Sequence, residues 1–230
     1  NFSKKKRIVA LLPMKANSVR IKGKNFINFC GKPLFKWILD TLLSIEEIDQ
    51  IVINTDARKK LSENNVFDTD KVLIRDRKES ICGDQISMNL VLADDIENIS
   101  ADFYIMVHVT SPLISAKTIK SCIDIFNNDK NSDSLFTVNK FQTRFYREDT
   151  SPINHDPDNL IRTQDLEPWF EENSNLYIFS SESFYKTKAR IGIKPIMYES
   201  PKRESIDIDN NEDLELAVIA MNYQKQPGKI

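Results

Sequence analysis

A three-layer α/β fold, with a mostly parallel central sheet and helices on both faces, is predicted by three features of the sequence. Strand-like and helix-like segments alternate along nearly the whole chain, the pattern of a parallel sheet whose crossovers are helices. The most apolar run, Phe103–Val109 (FYIMVHV), is continuous rather than alternating, as expected of a central strand buried on both faces. The length, 230 residues, suffices for one well-buried domain, so residues 1–230 are read as a single unit.

The elements follow in order. Ile8–Leu12 is the first strand. Pro33–Leu43 is a helix: Leu34, Trp37, Ile38, Thr41 and Leu42 recur at helical spacing, and Pro33 suits its first turn. Ile51–Asn54 is a short β-branched strand, Ala57–Asn64 a helix and Lys71–Ile74 a third strand. Ser87–Ile96 carries Met88, Val91, Leu92 and Ile96 in a helical pattern. After the central strand come a helix over Lys117–Phe126 and a strand over Ser134–Val138. Asn139–Glu172 then breaks the rhythm, being polar, without a clean period, and interrupted by Pro152, Pro157 and Pro168. A loop this long in a compact domain is usually functional or belongs to an interface. Regularity returns with a strand at Leu176–Phe179, a helix at Ser181–Thr187, an edge strand at Pro195–Tyr198 and a final amphipathic helix at Glu212–Gln224.

A formal net charge of −2 argues against a general nucleic-acid binder. Within that balance the cations are concentrated: Asn1–Lys36 holds ten Lys or Arg residues, and no acid precedes Asp40. Lys4–Arg7 reads as a solvated basic stretch. Lys15–Asn25, where small, polar and basic residues share a loop at the carboxyl end of a strand, reads as a polyphosphate cradle. KKKR followed by IVALLPM superficially resembles a secretory signal, but its apolar part ends early at Pro13 and Lys15 with no small-residue cleavage site. A cytoplasmic first strand is the expectation, and no later stretch approaches the roughly twenty apolar residues of a membrane span. Cys30, Cys82 and Cys122 are widely spaced, with no metal-binding pattern, and read as buried free thiols in a reducing compartment.

The basic loop matches neither GxxxxGK[ST] nor GxGxxG, which argues against a Walker-type nucleotidase or a nicotinamide enzyme. It offers Lys15, Ser18, Arg20, Lys24 and Asn25, with Gly31-Lys32-Pro33 closing the loop into a helix. Backbone amides, a helix amino terminus and side-chain cations together can neutralise a triphosphate. Near the other end, Asp207 and Asp209 in SIDIDNNEDLELA are two residues apart, so an extended segment projects them to the same side. Alone they read as solvated acids before a capped helix. Beside a polyphosphate loop they suit Mg2+, which prefers oxygen ligands. Arg77, Asp84 and Ser87 form a third group, Arg77 for phosphate and Ser87 as a donor to base or ribose.

These residues resemble the acylneuraminate cytidylyltransferases, which activate sialic acid and related nonulosonic acids as CMP-sugars. The loop from Pro13 to Asn25 (PMKANSVRIKGKN) resembles that family's PARGGSKRIPxKN, and Gly31–Leu34 its GKPL. Asn54-Thr55-Asp56 resembles STD, Arg77–Ser87 resembles RPxxLAxDxxS, and His108–Ile114 (HVTSPLI) resembles QPTSPLR. Asn173–Ile178 resembles NGxxYI, and Asp207-Ile208-Asp209 with Asp213-Leu214 and Ala217 resembles DIDxxxDLxxAE. The matches run in order over nearly the whole chain.

The resemblance implies a Rossmann-like nucleotidyltransferase fold and transfer of CMP from CTP to an anomeric hydroxyl with release of pyrophosphate. Lys15, Ser18, Lys24, Asn25 and Arg77 are expected to face CTP, with Asp84 and Ser87 shaping the nucleotide pocket. Asp207 and Asp209 are expected to hold Mg2+, with Lys15, Lys24, Asn25 and Asp209 as the catalytic set. The sugar acid is assigned to His108, Arg144, Arg162, Gln164, Asn173 and Tyr177. A homodimer is implied, with residues 139–172 as a small extension reaching the partner and the sugar, and a place in cell-surface polysaccharide biosynthesis. Neither nucleic acid nor membrane is an expected partner.

Three departures bear on the substrate. Lys15-Ala16-Asn17 replaces an arginine and two glycines, which removes bidentate phosphate geometry and some backbone freedom. His108 stands for a glutamine and Ile114 for an arginine. The sugar is therefore left open. The alternatives are a related CTP-dependent nucleotidyltransferase acting on a 3-deoxy-octulosonate-type sugar or a phosphonate, and a nucleotide-binding homologue without catalysis.

Overall fold

Side-chain alternation in the first strand decides which helix covers which face. All of β1 (Ile8–Leu11) is buried. Ile8 and Ala10 join one core cluster together with Leu12, while Val9 and Leu11 join the other, because successive side chains leave opposite faces of a strand. This computed structural model describes residues 5–18 and 20–225.

After β1 come a hairpin of β2 (Asn28–Phe29) and β3 (Lys32–Pro33), α1 (Leu34–Leu43), β4 (Gln50–Thr55), α2 (Arg58–Glu63), β5 (Val72–Asp76), α3 (Met88–Asn98), β6 (Phe103–Val107) and α4 (Ala116–Asn128). The chain continues through β7 (Ser134–Phe141), β8 (Trp169–Phe179), α5 (Ser181–Thr187), β9 (Pro195–Glu199) and α6 (Asn211–Gln224). The main sheet has the order β5-β4-β1-β6-β8-β7-β9. Strand β8 alone runs antiparallel to its neighbours β6 and β7; the remaining pairs are parallel. Leu34, Ile38 and Leu42 of α1, Ile119 and Ile123 of α4, and Ala217 and Met221 of α6 fill one core. Leu92 and Ile96 of α3 and Phe184 of α5 fill the other, with Tyr104, Met106, Tyr177 and Phe179 of the sheet. Helices thus lie on both faces of a mostly parallel sheet, as the alternating pattern predicts.

The structure corrects the sequence reading in four places. The sequence pattern does not predict the β2–β3 hairpin; Cys30 (φ 50) and Gly31 (φ 104) both take positive φ, as a type I′ two-residue hairpin loop requires. Strand β7 runs on to Phe141 and β8 begins at Trp169, pairing Asn139 with Glu171 and Phe141 with Trp169. The irregular segment is therefore 142–168, not 139–172, because an exposed two-stranded ribbon needs no apolar run to mark it. Helix α6 is not cleanly amphipathic: Leu216, Ile219 and Tyr223 are 51%, 66% and 42% exposed, opposite the buried Ala217 and Met221. Of the thiols, Cys122 is buried, whereas Cys30 and Cys82 are only partly so. Within the basic stretch, Lys5, Lys6 and Arg7 are exposed, while Lys4 lies outside the described residues, as does Val19 in the loop.

Candidate active site

From β1 the chain crosses to β4 on one side, and β6 lies on the other. Such a reversal opens a crevice beyond the carboxyl ends of the strands, where α/β sheets bind ligands. A cavity of about 360 Å3 lies there, between Pro13 and Met14 after β1 and His108 to Thr110 after β6. Lys15, Ser18, Arg20, Lys24, Asn25, Arg77, Asp84 and Asp209 also line it. The basic loop and the carboxyl-terminal Asp209, almost two hundred residues apart, thus share one cavity.

Loss of the two glycines is offset by tethers. The Ala16 amide donates to Asp56 Oδ1 at 2.6 Å, Asn25 Nδ2 donates to the Lys15 carbonyl at 2.8 Å, and Lys60 Nζ donates to the Ala16 carbonyl at 3.2 Å. The loop is held by its neighbours rather than by its own turn chemistry. Lys15 pairs with Asp84 at 2.7 Å, both side chains being more than a third exposed. A pair of that kind contributes about 1 kcal/mol or less, so a phosphate can displace Asp84 at little cost.

Lys24 is different. It is buried, and its Nζ donates to the Ile208 carbonyl at 2.6 Å and lies 3.4 Å from Asp209 Oδ1, whose other oxygen meets Arg20 at 2.9 Å. Lys24 therefore pins the 207–209 segment against the loop. Arg77 is likewise a brace: its guanidinium donates to the side-chain and backbone oxygens of Asn54, both at 2.9 Å, and to the Met14 carbonyl at 3.4 Å. Burial lowers the Arg77 pKa. Asn54 is anchored to Asp95 at 2.8 Å, and burial pushes the Asp95 carboxyl up to about 6 despite Asn54 and Arg75 beside it.

Asp207 does not line the cavity, although Asp209 does. One Asp207 oxygen is buried with no hydrogen-bond partner. Burial, with Asp209 and Asp213 nearby, raises its pKa against the pull of Thr110 and Lys24. An orphaned carboxylate oxygen beside a half-exposed second carboxylate fits a cation that takes one or two carboxylates and completes its shell with phosphate and water. Among the described residues no group of three or more His, Cys, Asp and Glu side chains is placed to hold a metal.

His108 lines the cavity with its pKa pushed down to about 4, chiefly by burial and then by Arg190 and Lys24, against the pull of Asp209. It is neutral at pH 7. A folded-state value below the ordinary 6.5 means that His108 binds more protons in the unfolded chain between those pH values, so its contribution to stability falls as pH drops from about 6.5 to about 4, against the opposite contribution of Asp95. His108→Gln is expected to flatten that slope in thermal melts of the EDTA-treated protein between pH 7 and 4; an unchanged slope would show that His108 is not the group responsible.

The remaining expected sugar residues are not brought to this cavity. Asn173 accepts from Thr137 Oγ1 at 2.7 Å and donates to Asn139 and Ser200 at 3.1 and 2.8 Å, stitching the bulge where β7 and β8 shift register. The Tyr177 ring is fully buried in the core and its hydroxyl donates to Glu172. Arg144 donates to the Ile161 carbonyl, Arg162 pairs with Asp165, and Gln164 accepts from Gln142, all within the irregular segment. Ser87 caps α3 by accepting from the Asn89 amide at 3.3 Å and lines a neighbouring cavity instead. The sequence reading missed Asn54, Asp56 and Thr110 as supports and Arg190 as a partly buried cation; Arg190 lies in no recognisable motif, so no local signal marks it.

A cationic loop at the switch point of a mostly parallel sheet, facing a carboxylate across a cavity, defines the class as an α/β nucleotidyltransferase. A family model described as cytidylyltransferase matches residues 9–226, and the chain belongs to that family. It is similar to the pseudaminic acid cytidylyltransferase of Campylobacter jejuni, 24% identical over 92% of this chain and 94% of the relative. It is also similar to the N-acylneuraminate cytidylyltransferase of Escherichia coli, 22% identical over 97% of this chain and 54% of the relative. Among solved structures, a CMP:2-keto-3-deoxy-manno-octonic acid synthetase complexed with CTP superposes with a TM-score of 0.66 at 14% identity, covering 95% of this chain and 99% of the other. That likeness is one of fold.

Proposed function

We propose that this protein transfers CMP from CTP to the anomeric hydroxyl of a sialic-acid-like nonulosonic acid and releases pyrophosphate. The observation that carries the reading is the meeting of Lys15, Arg20 and Lys24 with Asp209 around one cavity at the switch point. Relatives named for pseudaminic and N-acylneuraminic acids support the acceptor class. Such a transfer needs positioning and charge neutralisation rather than a covalent nucleophile. Lys15, released from Asp84, and Arg20 meet the departing phosphates. Lys24 adds fixed positive charge from beneath and keeps Asp209 in place. Ser18 offers a hydroxyl to phosphate, and Asn25 and Arg77 hold the loop at its working distance.

Asp207 and Asp209 are the residues that would hold Mg2+, which supplies charge neutralisation on the phosphates. The neutral His108 imidazole can hydrogen-bond the acceptor without adding charge. A homodimer is part of the same reading, supported by the exposure of Leu160, Ile161, Trp169 and Phe170 in and beside the irregular segment; placement in the cytoplasm is consistent with CTP as donor. The test is pyrophosphate release from CTP and Mg2+ with pseudaminic acid, N-acetylneuraminic acid and 3-deoxy-manno-octulosonic acid in turn. Turnover with a nine-carbon acid is expected; turnover with the octulosonate alone would move the acceptor class, and no turnover with any acid would overturn the reading.

A further inference from the structure

We propose that Arg190 is the clamp for the carboxylate of the acid substrate, in a second cavity that opens beside the first. The assignment rests on the acid acceptor proposed above. This cavity, of about 340 Å3, is lined by Ser87, Met88, Asn89, Glu172 and Arg190 among others, and Met88 forms a wall common to both cavities. A ligand in the second cavity therefore lies next to the cavity that the phosphate loop lines.

The Arg190 guanidinium lies over the Tyr177 ring, its central carbon 4.1 Å from the ring centre. Its polar neighbours among the described residues are Met106 Sδ at 3.9 Å and Glu172 Oε1 at 3.9 Å. Neither replaces a hydrogen bond of ordinary length to an oxygen. With the side chain 22% exposed, a planar fork of donors is held over an aromatic ring, reaches the solvent and, among the described residues, has no oxygen within hydrogen-bond distance. That is the arrangement that accepts a carboxylate through two parallel hydrogen bonds. The start of α3, at Ser87 to Asn89, faces the same cavity and adds a favourable field for an anion. Glu172 takes the Tyr177 hydroxyl, which places its carboxylate as an acceptor for a hydroxyl or amide elsewhere on the same ligand. One cation and one acceptor a few ångströms apart suit a polyhydroxylated acid better than a second phosphate.

Steady-state pyrophosphate release by Arg190→Met and Arg190→Lys tests this, using whichever of the three acids the wild type activates and that acid's carboxyl methyl ester. For Arg190→Met the KM for the acid is expected to rise roughly ten- to a hundredfold, as for loss of a charge-assisted pair. The KM for CTP should stay within about twofold, since a uniform binding contact to one substrate alone is removed. The wild type should prefer acid to ester, and Arg190→Met should not distinguish them. Arg190→Lys should recover part of the preference, and decides the matter if Arg190→Met fails to fold by thermal melt. An unchanged KM for the acid, or equal losses for acid and ester, would overturn the assignment while leaving the proposed activity intact. A wild type inactive with every acid fails the proposed activity first, and this assignment with it.

Discussion

Asp209→Asn is expected to reduce Mg2+-dependent CMP-sugar formation by about a hundredfold or more, the scale for loss of a group that holds transition-state charge. The substitution keeps the volume and a hydrogen-bond acceptor for Lys24 and Arg20, at 3.4 and 2.9 Å, but removes the charge beside the phosphates. Because the side chain is half exposed, the fold should survive, with a circular dichroism spectrum and melting midpoint close to those of the wild type. The expected signature is a large loss in kcat in a pyrophosphate assay, with an Mg2+ dependence displaced to higher concentration. Near-normal turnover at the wild-type Mg2+ optimum would remove Asp209 from the catalytic set and take the metal site with it.

Lys24→Met is expected to damage both stability and CTP binding, which separates it from its neighbours in the loop. The buried ammonium is the partner of the Ile208 carbonyl at 2.6 Å. Leaving that carbonyl unpaired in a dry environment costs about 1–3 kcal/mol, or roughly 2–12 °C in Tm for a chain of this size. The 207–209 segment then loses its tie to the loop, and calorimetry should show CTP affinity at least about tenfold weaker, as expected when a charge-assisted contact is lost. Arg20→Met makes the contrast: its ion pair with Asp209 is two-thirds exposed on the arginine side, so its stability effect should stay below about 1 kcal/mol. Unchanged CTP affinity in Lys24→Met would move the phosphate site away from this loop.

The difference between Lys24 and Arg20 shows what was legible in the sequence and what was not. Both were visible as cations in a loop after a strand. That one is a buried pin and the other a surface partner depends on where Ile208 and Asp209 return, at the far end of the chain. The same holds for Asn173 and Tyr177. Their motif was recognisable, yet in the folded protein Asn173 serves the β7–β8 bulge and the Tyr177 ring supports Arg190. Arg190 itself has no local signal, since a guanidinium held over an aromatic ring with only a distant carboxylate neighbour is defined by the residues that surround it.

The alternating α/β order, the central strand, the cationic loop and the carboxylate pair are all readable without coordinates, because periodicity and local charge are properties of neighbouring residues. Helix α6 marks the limit, where a correctly placed helix still left open which of its apolar faces the core would take. Long-range contacts settle that β8 runs antiparallel, that the loop is held by Asp56, Asn25 and Lys60 in place of glycines, and which cations face the cavity. Those outcomes depend on pairings between segments as much as 185 positions apart, and burial, which sets the pKa of His108 and the orphaned oxygen of Asp207, exists only once those segments have met.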